Sequence, residues 1–273
     1  MLPPQSPKQN RVLAALALPN YTRLLPLLDR VSLLAGDVVY EPGRPIRYLY
    51  FPTSCILAHL YQMENGACTQ TGIIGSEGLT GIFALFGDQT SPGRVVVQST
   101  GDAYRVKTAL VTSEFEGKAE LRNLILRFTH ALMVQTEQLA VFNRYYTVDE
   151  QLSYFLLMSL DRSPDNEVHV THEQVGIMLG VRRESVTVAA QKLQLAGAIH
   201  CRRGHLTVVD RQQLETRAGE NYKVVKREYE HLLEFYASFG SQLSEAETGA
   251  HRRDVCDKGK AAAFESGRAS RRV

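Results

Sequence analysis

The chain has 273 residues, of which 44% are hydrophobic and 22% charged, with a formal net charge of +2 at pH 7. That length suits one large domain or two ordinary ones, each able to bury a core. No apolar run approaches the ~20 residues of a membrane span, so a membrane-spanning role is excluded, and the near-balanced charge names no partner by itself.

The N-terminal 30 residues read as a helical lead-in. "VLAALAL" (12–18) follows Lys8 and Arg11, but it is short, and Pro19-Asn20 and "RLLPLLDRVSLL" come after it instead of a small-residue cleavage site. Two amphipathic helical pieces of a cytoplasmic protein are expected. Cys55, Cys68, Cys201 and Cys256 form no CxxC pair, so the cysteines signal neither zinc nor an iron-sulfur cluster and are expected to be reduced thiols.

Residues 31–110 are expected to be strands. "DVVYEP", "RYLYFP" and "RVVVQS" are rich in β-branched and aromatic side chains, and glycine and proline punctuate them at short intervals. Short strands with turn signals imply an antiparallel roll or barrel. Asn65-Gly66 predicts a hairpin turn, because both residues tolerate positive φ.

From about Thr112 the period changes. Leu121, Ile125, Phe128, Leu132, Gln135, Leu139, Phe142 and Tyr146 recur at alternating spacings of 4 and 3, a heptad seam that asks for a second helix. No proline or glycine interrupts Lys118 to Gln151, so 111–149 is assigned to one long dimerisation helix. Gln135 is the polar member suited to setting register between two copies. The same stripe would also serve to cover the strand domain, because Leu124, Leu126, Met133, Val134 and Val141 offer a second apolar surface.

"RSPDNEVHV" (162–170) is a polar break, and 150–235 is assigned to a compact helical domain with one hairpin. Thr171 and Gln174 make a capping box, Val175, Met178 and Leu179 an apolar face, and Gly180 a C-terminal stop. A second helix opens near Arg182, so the pair is a helix-turn-helix. On the second helix Val186, Ala189, Ala190 and Leu193 share one side, leaving Arg183, Glu184, Thr187, Val188 and Gln191 on the other. Arginine pairs bidentately with guanine and glutamate accepts from the cytosine amino group, so Arg183, Glu184, Thr187 and Val188 are the candidate base readers. Arg182, Gln191 and Lys192, together with Arg202 and Arg203 at the tip of a hairpin wing, are the candidate phosphate contacts. Between Arg182 and Arg217 seven basic residues face three acidic ones, a local charge of +4 that suits a polyanion. The remainder, 236–273, is poor in large apolar groups and reads as a disordered basic tail.

These stretches resemble the CRP/FNR family of bacterial transcription regulators over roughly residues 10 to 235. "VVYEPGRPIRYLYFP" is similar to the first strands of the family's cyclic-nucleotide-binding-like β-roll and "GIIGSEGLTGI" to the glycine-rich segment beside its ligand pocket. "THEQVGIMLGVRRESVTVAAQKLQLAGAIHCRRGHLTVVD" is similar to its winged helix-turn-helix. The resemblance implies an α+β chain composed of an N-terminal antiparallel β-roll, a long dimerisation helix and a C-terminal winged helix-turn-helix. It further implies a cytoplasmic homodimer that reads a near-palindromic site on double-stranded DNA, with RNA polymerase as a further partner.

Three departures bear on function. Val188 stands where the family's reading helix often has a second arginine, which suggests a thymine methyl as its target. The effector pocket retains only Glu77 and Arg94 as candidates, since Arg94-Val95-Val96 lacks the hydroxyl that would share a phosphate; no cyclic nucleotide or other cofactor is assigned. The oxygen-sensing branch's cysteine cluster is absent, and His59 and His130 read as structural and not as haem ligands. No metal site and no catalytic residue is assigned, because GxxxxGK[ST], HExxH and GxSxG are all missing. The competing reading is a ligand-binding module whose helical domain docks a protein instead of DNA.

Overall fold

The computed structural model describes residues 6–87, 89–163 and 166–239. Two short helices, α1 (Arg11–Ala14) and α2 (Leu18–Leu24), open the chain. Buried Asn10 anchors them: its Oδ1 accepts from the Leu13 amide at 3.2 Å, and its Nδ2 donates to the carbonyls of Pro52 at 2.9 Å and Gly78 at 2.7 Å. One side chain thus caps a helix and ties it to the strands behind it.

The strands begin at β1 (Asp29–Leu33) and continue through β2 (Val38–Tyr40), β3 (Tyr48–Pro52), β4 (Ile56–Gln62), β5 (Cys68–Ile74), β6 (Arg94–Ser99) and β7 (Gly101–Lys107). They form two antiparallel sheets, ordered β1-β7-β3 and β2-β6-β4-β5. Val31, Leu33, Ala103 and Tyr50 from one sheet share a core with Leu57, Val95, Val97 and Tyr40 from the other, which is the interior of a roll. At the β4–β5 hairpin only Gly66 takes positive φ, at +84°. Asn65 does not; its Oδ1 accepts from the Ala67 amide at 3.0 Å. Met63 to Gly66 is closed by the Gly66 N–H to Met63 carbonyl bond, and Gly66 itself is left-handed, which makes Glu64 to Gly66 a three-residue hairpin loop.

The single long helix expected over 111–149 is three helices. These are α3 (Thr108–Gly117), α4 (Ala119–Tyr145) and α5 (Val148–Leu160), with extended backbone at Lys118 and again at Tyr146 and Thr147. Thr147 and Glu150 form a capping box that starts α5, so a local polar signal divides the helix where no proline or glycine stands. Leu121, Ile125, Phe128, Gln135 and Phe142 are buried within the monomer, so the heptad seam covers the roll and not a second copy. Gln135 likewise sets no register between copies: its Oε1 accepts from the Ile73 amide at 2.7 Å, and its Nε2 donates to the Tyr229 hydroxyl at 2.9 Å. The face of α4 left exposed carries Leu126, Met133, Val141 and Tyr145.

Beyond α5 lie β8 (Glu167–His169), α6 (His172–Leu179), α7 (Arg183–Leu195), β9 (Ile199–Arg202) and β10 (His205–Val208). β8 falls in the stretch expected to be a polar break. It pairs with β10 because Val168 supplies a buried residue opposite Leu206, making the wing a three-stranded sheet ordered β8-β10-β9. A final helix over 211–239, here α8, was not expected. Leu214, Ala218, Tyr222, Val225, Tyr229, Leu232 and Tyr236 form its buried stripe, so 236–239 continue a helix where the tail was expected to begin. The rest of that tail, 240–273, lies outside the described residues. No described helix is long and apolar enough to cross a membrane, and Cys55, Cys68 and Cys201 are free thiols.

Candidate nucleic-acid interface

The helix-turn-helix is assembled from local signals. The Thr171 hydroxyl accepts from the Gln174 amide at 3.2 Å while the Gln174 side chain accepts from the Thr171 amide at 2.8 Å, satisfying two donors that a helix start leaves orphaned. Gly180 ends α6 at φ +67°. Gly176 has a role that spacing did not reveal: a Cβ there would stand 2.9 Å from the Val181 carbonyl oxygen, so the turn closes against bare backbone. Gly180 to Arg182 connect α6 to α7, whose Val186, Ala189, Ala190 and Leu193 are all buried. The two alanines admit close helix approach.

The outward side of α7 starts with Arg182, Arg183 and Glu184, all exposed. Val188 is 54% exposed, and Gln191 is also open to solvent. Thr187 is half-buried and already engaged. Its hydroxyl donates to the Arg183 carbonyl at 3.1 Å and meets His172 Nδ1 at 3.0 Å. Burial first, and the Arg183 charge second, hold the His172 imidazole below its ordinary pKa, so a neutral ring buttresses the start of α7. His172 was missed because a histidine inside a capping stretch carries no pattern of its own.

The wing hairpin turns through Arg203-Gly204, with Gly204 at φ +77°, and Arg202 and Arg203 are exposed. The local charge of +4 is partly spent. Asp149 pairs with Lys192 at 3.3 Å and Arg217 at 3.7 Å, and Arg211 pairs with Asp161 and Glu215. Among the described residues no carboxylate pairs with Arg182, Arg183, Arg202 or Arg203. Lys192, expected to be a phosphate contact, pairs with Asp149 at the start of α5.

The two effector candidates are also occupied, and by different partners. Glu77 is buried; it accepts from Arg162 Nε at 2.7 Å and from the Gly75 amide at 3.1 Å, while the Arg162 guanidinium lies 4.8 Å above the Tyr229 ring. Arg94 donates Nε and a terminal NH2 to Glu41, both at 3.0 Å. Phe128 of α4 packs onto Gly78, where a Cβ would stand 2.0 Å from the ring, so the glycine-rich segment serves helix packing. A cleft of about 210 Å³ opens beside Glu77 and Arg162, lined also by Asp161, Lys226 and Tyr229. His59 Nε2 meets Thr80 Oγ1 at 2.9 Å, and His130 Nδ1 meets Glu228 at 2.8 Å.

Residues 150–217 match the family model of the Crp-like helix-turn-helix domain. The fold is similar to that of a putative transcriptional regulator of the CRP/FNR family from Eubacterium rectale (17% identity, TM-score 0.59, 76% of this chain and 97% of that one). It is also similar to FixK2 from Bradyrhizobium japonicum (15%, 0.60, 68% and 95%) and to a CRP-family transcriptional regulator from Thermus thermophilus (17%, 0.59, 70% and 96%). No curated protein matches the chain in sequence.

Proposed function

We propose that the chain, which carries a Crp-like helix-turn-helix domain and has the fold of CRP/FNR regulators, is a DNA-binding transcription regulator that reads a near-palindromic site as a homodimer. The observation that carries the reading is a set of four exposed guanidiniums without carboxylate partners among the described residues, Arg182 and Arg183 at the start of α7 and Arg202 and Arg203 on the wing. Arg183, Glu184 and Val188 read base edges, with Thr187 positioning the first turn through His172. Arg182, Arg202, Arg203 and Gln191 hold phosphate, and Lys192 acts mainly through Asp149. Docking of the helical domain onto a protein is not favoured, since the matched domain is a Crp-like helix-turn-helix.

Dimerisation uses the exposed face of α4, Leu126, Met133, Val141 and Tyr145, and the two reading helices would then stand one DNA turn, ~34 Å, apart. Control is a population shift. The Glu77–Arg162 pair joins the glycine-rich segment of the roll to the end of α5, and Tyr229 of α8 covers it, so a signal that displaces this segment also moves the reading head. The protein works in the cytoplasm, in keeping with its free thiols, and RNA polymerase is its further partner. Arg183→Ala tests the division of labour: it weakens the selected site by about 1–3 kcal/mol relative to random DNA, whereas Arg202→Ala weakens both alike. Equal losses on the two DNAs from both changes would contradict it.

A further inference from the structure

β8 carries Glu167 and His169 two residues apart, hence on one face of the strand. β10 sets His205 directly opposite His169, and Thr207 opposite Glu167. The intervening Val168, Leu206 and Val208 are buried, so alternation turns Glu167, His169 and His205 together to the outer face of the wing sheet. Their ligand atoms all lie within 4.8 Å of one another. His205 Nδ1 is 3.3 Å from Glu167 Oε1, and His169 Nε2 is 4.0 Å from Glu167 Oε2. The two imidazoles meet edge to face with centroids 4.6 Å apart. No lysine or arginine among the described residues pairs with Glu167; besides the two rings, only the Thr207 hydroxyl meets its carboxylate, at 3.4 Å.

Two imidazole nitrogens and one carboxylate oxygen are the donor set of a borderline divalent ion. Around tetrahedral zinc, with arms of about 2.0–2.1 Å, donors stand roughly 3.3–3.4 Å apart. Of the three donor pairs one already has that spacing, a second stands at 4.0 Å to the other carboxylate oxygen, and all lie within 4.8 Å, so at most about 1.5 Å of closure is needed from side chains that are 34% to 60% exposed and free to turn. We propose that Glu167, His169 and His205 form a zinc-type metal site that staples β8 to β10 and leaves a fourth position to water. Arg202 is the cross-strand neighbour of His205 on β9, so a bound dication raises the charge beside a wing arginine. An effect on DNA rests on the DNA-reading function proposed above, whereas metal uptake does not.

The test is titration of chelator-treated full-length protein with zinc chloride, without DNA, by calorimetry. One ion per chain is expected with micromolar or tighter affinity. Glu167→Gln should weaken it at least ~10-fold, and His169→Ala with His205→Ala should remove it, while melting temperature in the absence of metal stays unchanged, as befits exposed side chains. Cobalt(II) in place of zinc reads the donors directly: its four-coordinate d–d absorption should vanish in the double variant. Binding of equal strength in that variant, or none in the parent chain, overturns the site. Zinc uptake without a rise in DNA affinity would overturn the coupling alone, which separates failure of the site from failure of the DNA reading.

Discussion

Arg202→Ala and Lys192→Ala, compared side by side, test which cations meet phosphate. Arg182, Arg202 and Arg203 have no carboxylate partner among the described residues, whereas Lys192 Nζ stands 3.3 Å from Asp149. Three such arginines in each of two protomers predict a slope of about −5 for log Kobs against log salt, or roughly a 10³-fold loss of affinity between about 50 and 200 mM. Arg202→Ala removes two contacts per dimer and brings the slope to about −3.5, while Lys192→Ala moves it by less than about 0.5. Fluorescence anisotropy on a labelled duplex, selected from a random library and titrated across that salt range, measures both. If Lys192→Ala flattens the slope as much as Arg202→Ala, the Asp149 pair does not sequester the lysine and the reasoning from ion-pair geometry fails.

Glu77→Gln should cost about 3–5 kcal/mol of stability, because the Arg162 side chain is only 4% exposed and would be left as an unpaired buried charge; a melting temperature close to that of the parent would refute a structural role for the pair. Burial drops the His59 pKa from 6.5 to about 4. The unfolded chain therefore takes up its proton near pH 6.5 and the folded one only near 4, so stability is complete above pH 6.5 and falls by roughly 3 kcal/mol between those values. Denaturant melts of the parent and His59→Gln check this, the variant losing that part of the dependence. Met133→Asp, on a residue 58% exposed in the monomer, should shift the protein from dimer to monomer in sedimentation without lowering the monomer's own stability, and an unchanged dimer would place the interface elsewhere.

Most of the reading head was legible in the chain because its signals are local. A capping box, a left-handed glycine and a stripe at spacings of 3 and 4 act within a turn or two of helix, so Thr171 to Leu193 could be placed without knowing what packs on them. The wing turn followed from Arg203-Gly204 for the same reason. Periodicity also showed that 118–151 is helical with an apolar stripe, but not which surface the stripe meets. Two apolar surfaces on one helix are interchangeable until the roll is built, and the close approach of Phe128 to Gly78, together with the Gln135 bonds to Ile73, assigns the heptad stripe to the monomer core. The break at Tyr146 had a signal in Thr147 and Glu150, masked by the absence of proline or glycine.

The amino-acid sequence by itself determined the succession from a strand-rich roll to helices, the helix-turn-helix and the residue types at its exposed first turn, since these depend on contacts between near neighbours. The tertiary structure decided which charges are available. Lys192, Glu77 and Arg94 look alike in sequence to any surface residue, yet Asp149, Arg162 and Glu41 lie 43, 85 and 53 positions away. It also decided that Glu167, His169 and His205 share one face, because pairing between strands 36 residues apart along the chain is set by the register of a sheet and not by any local spacing.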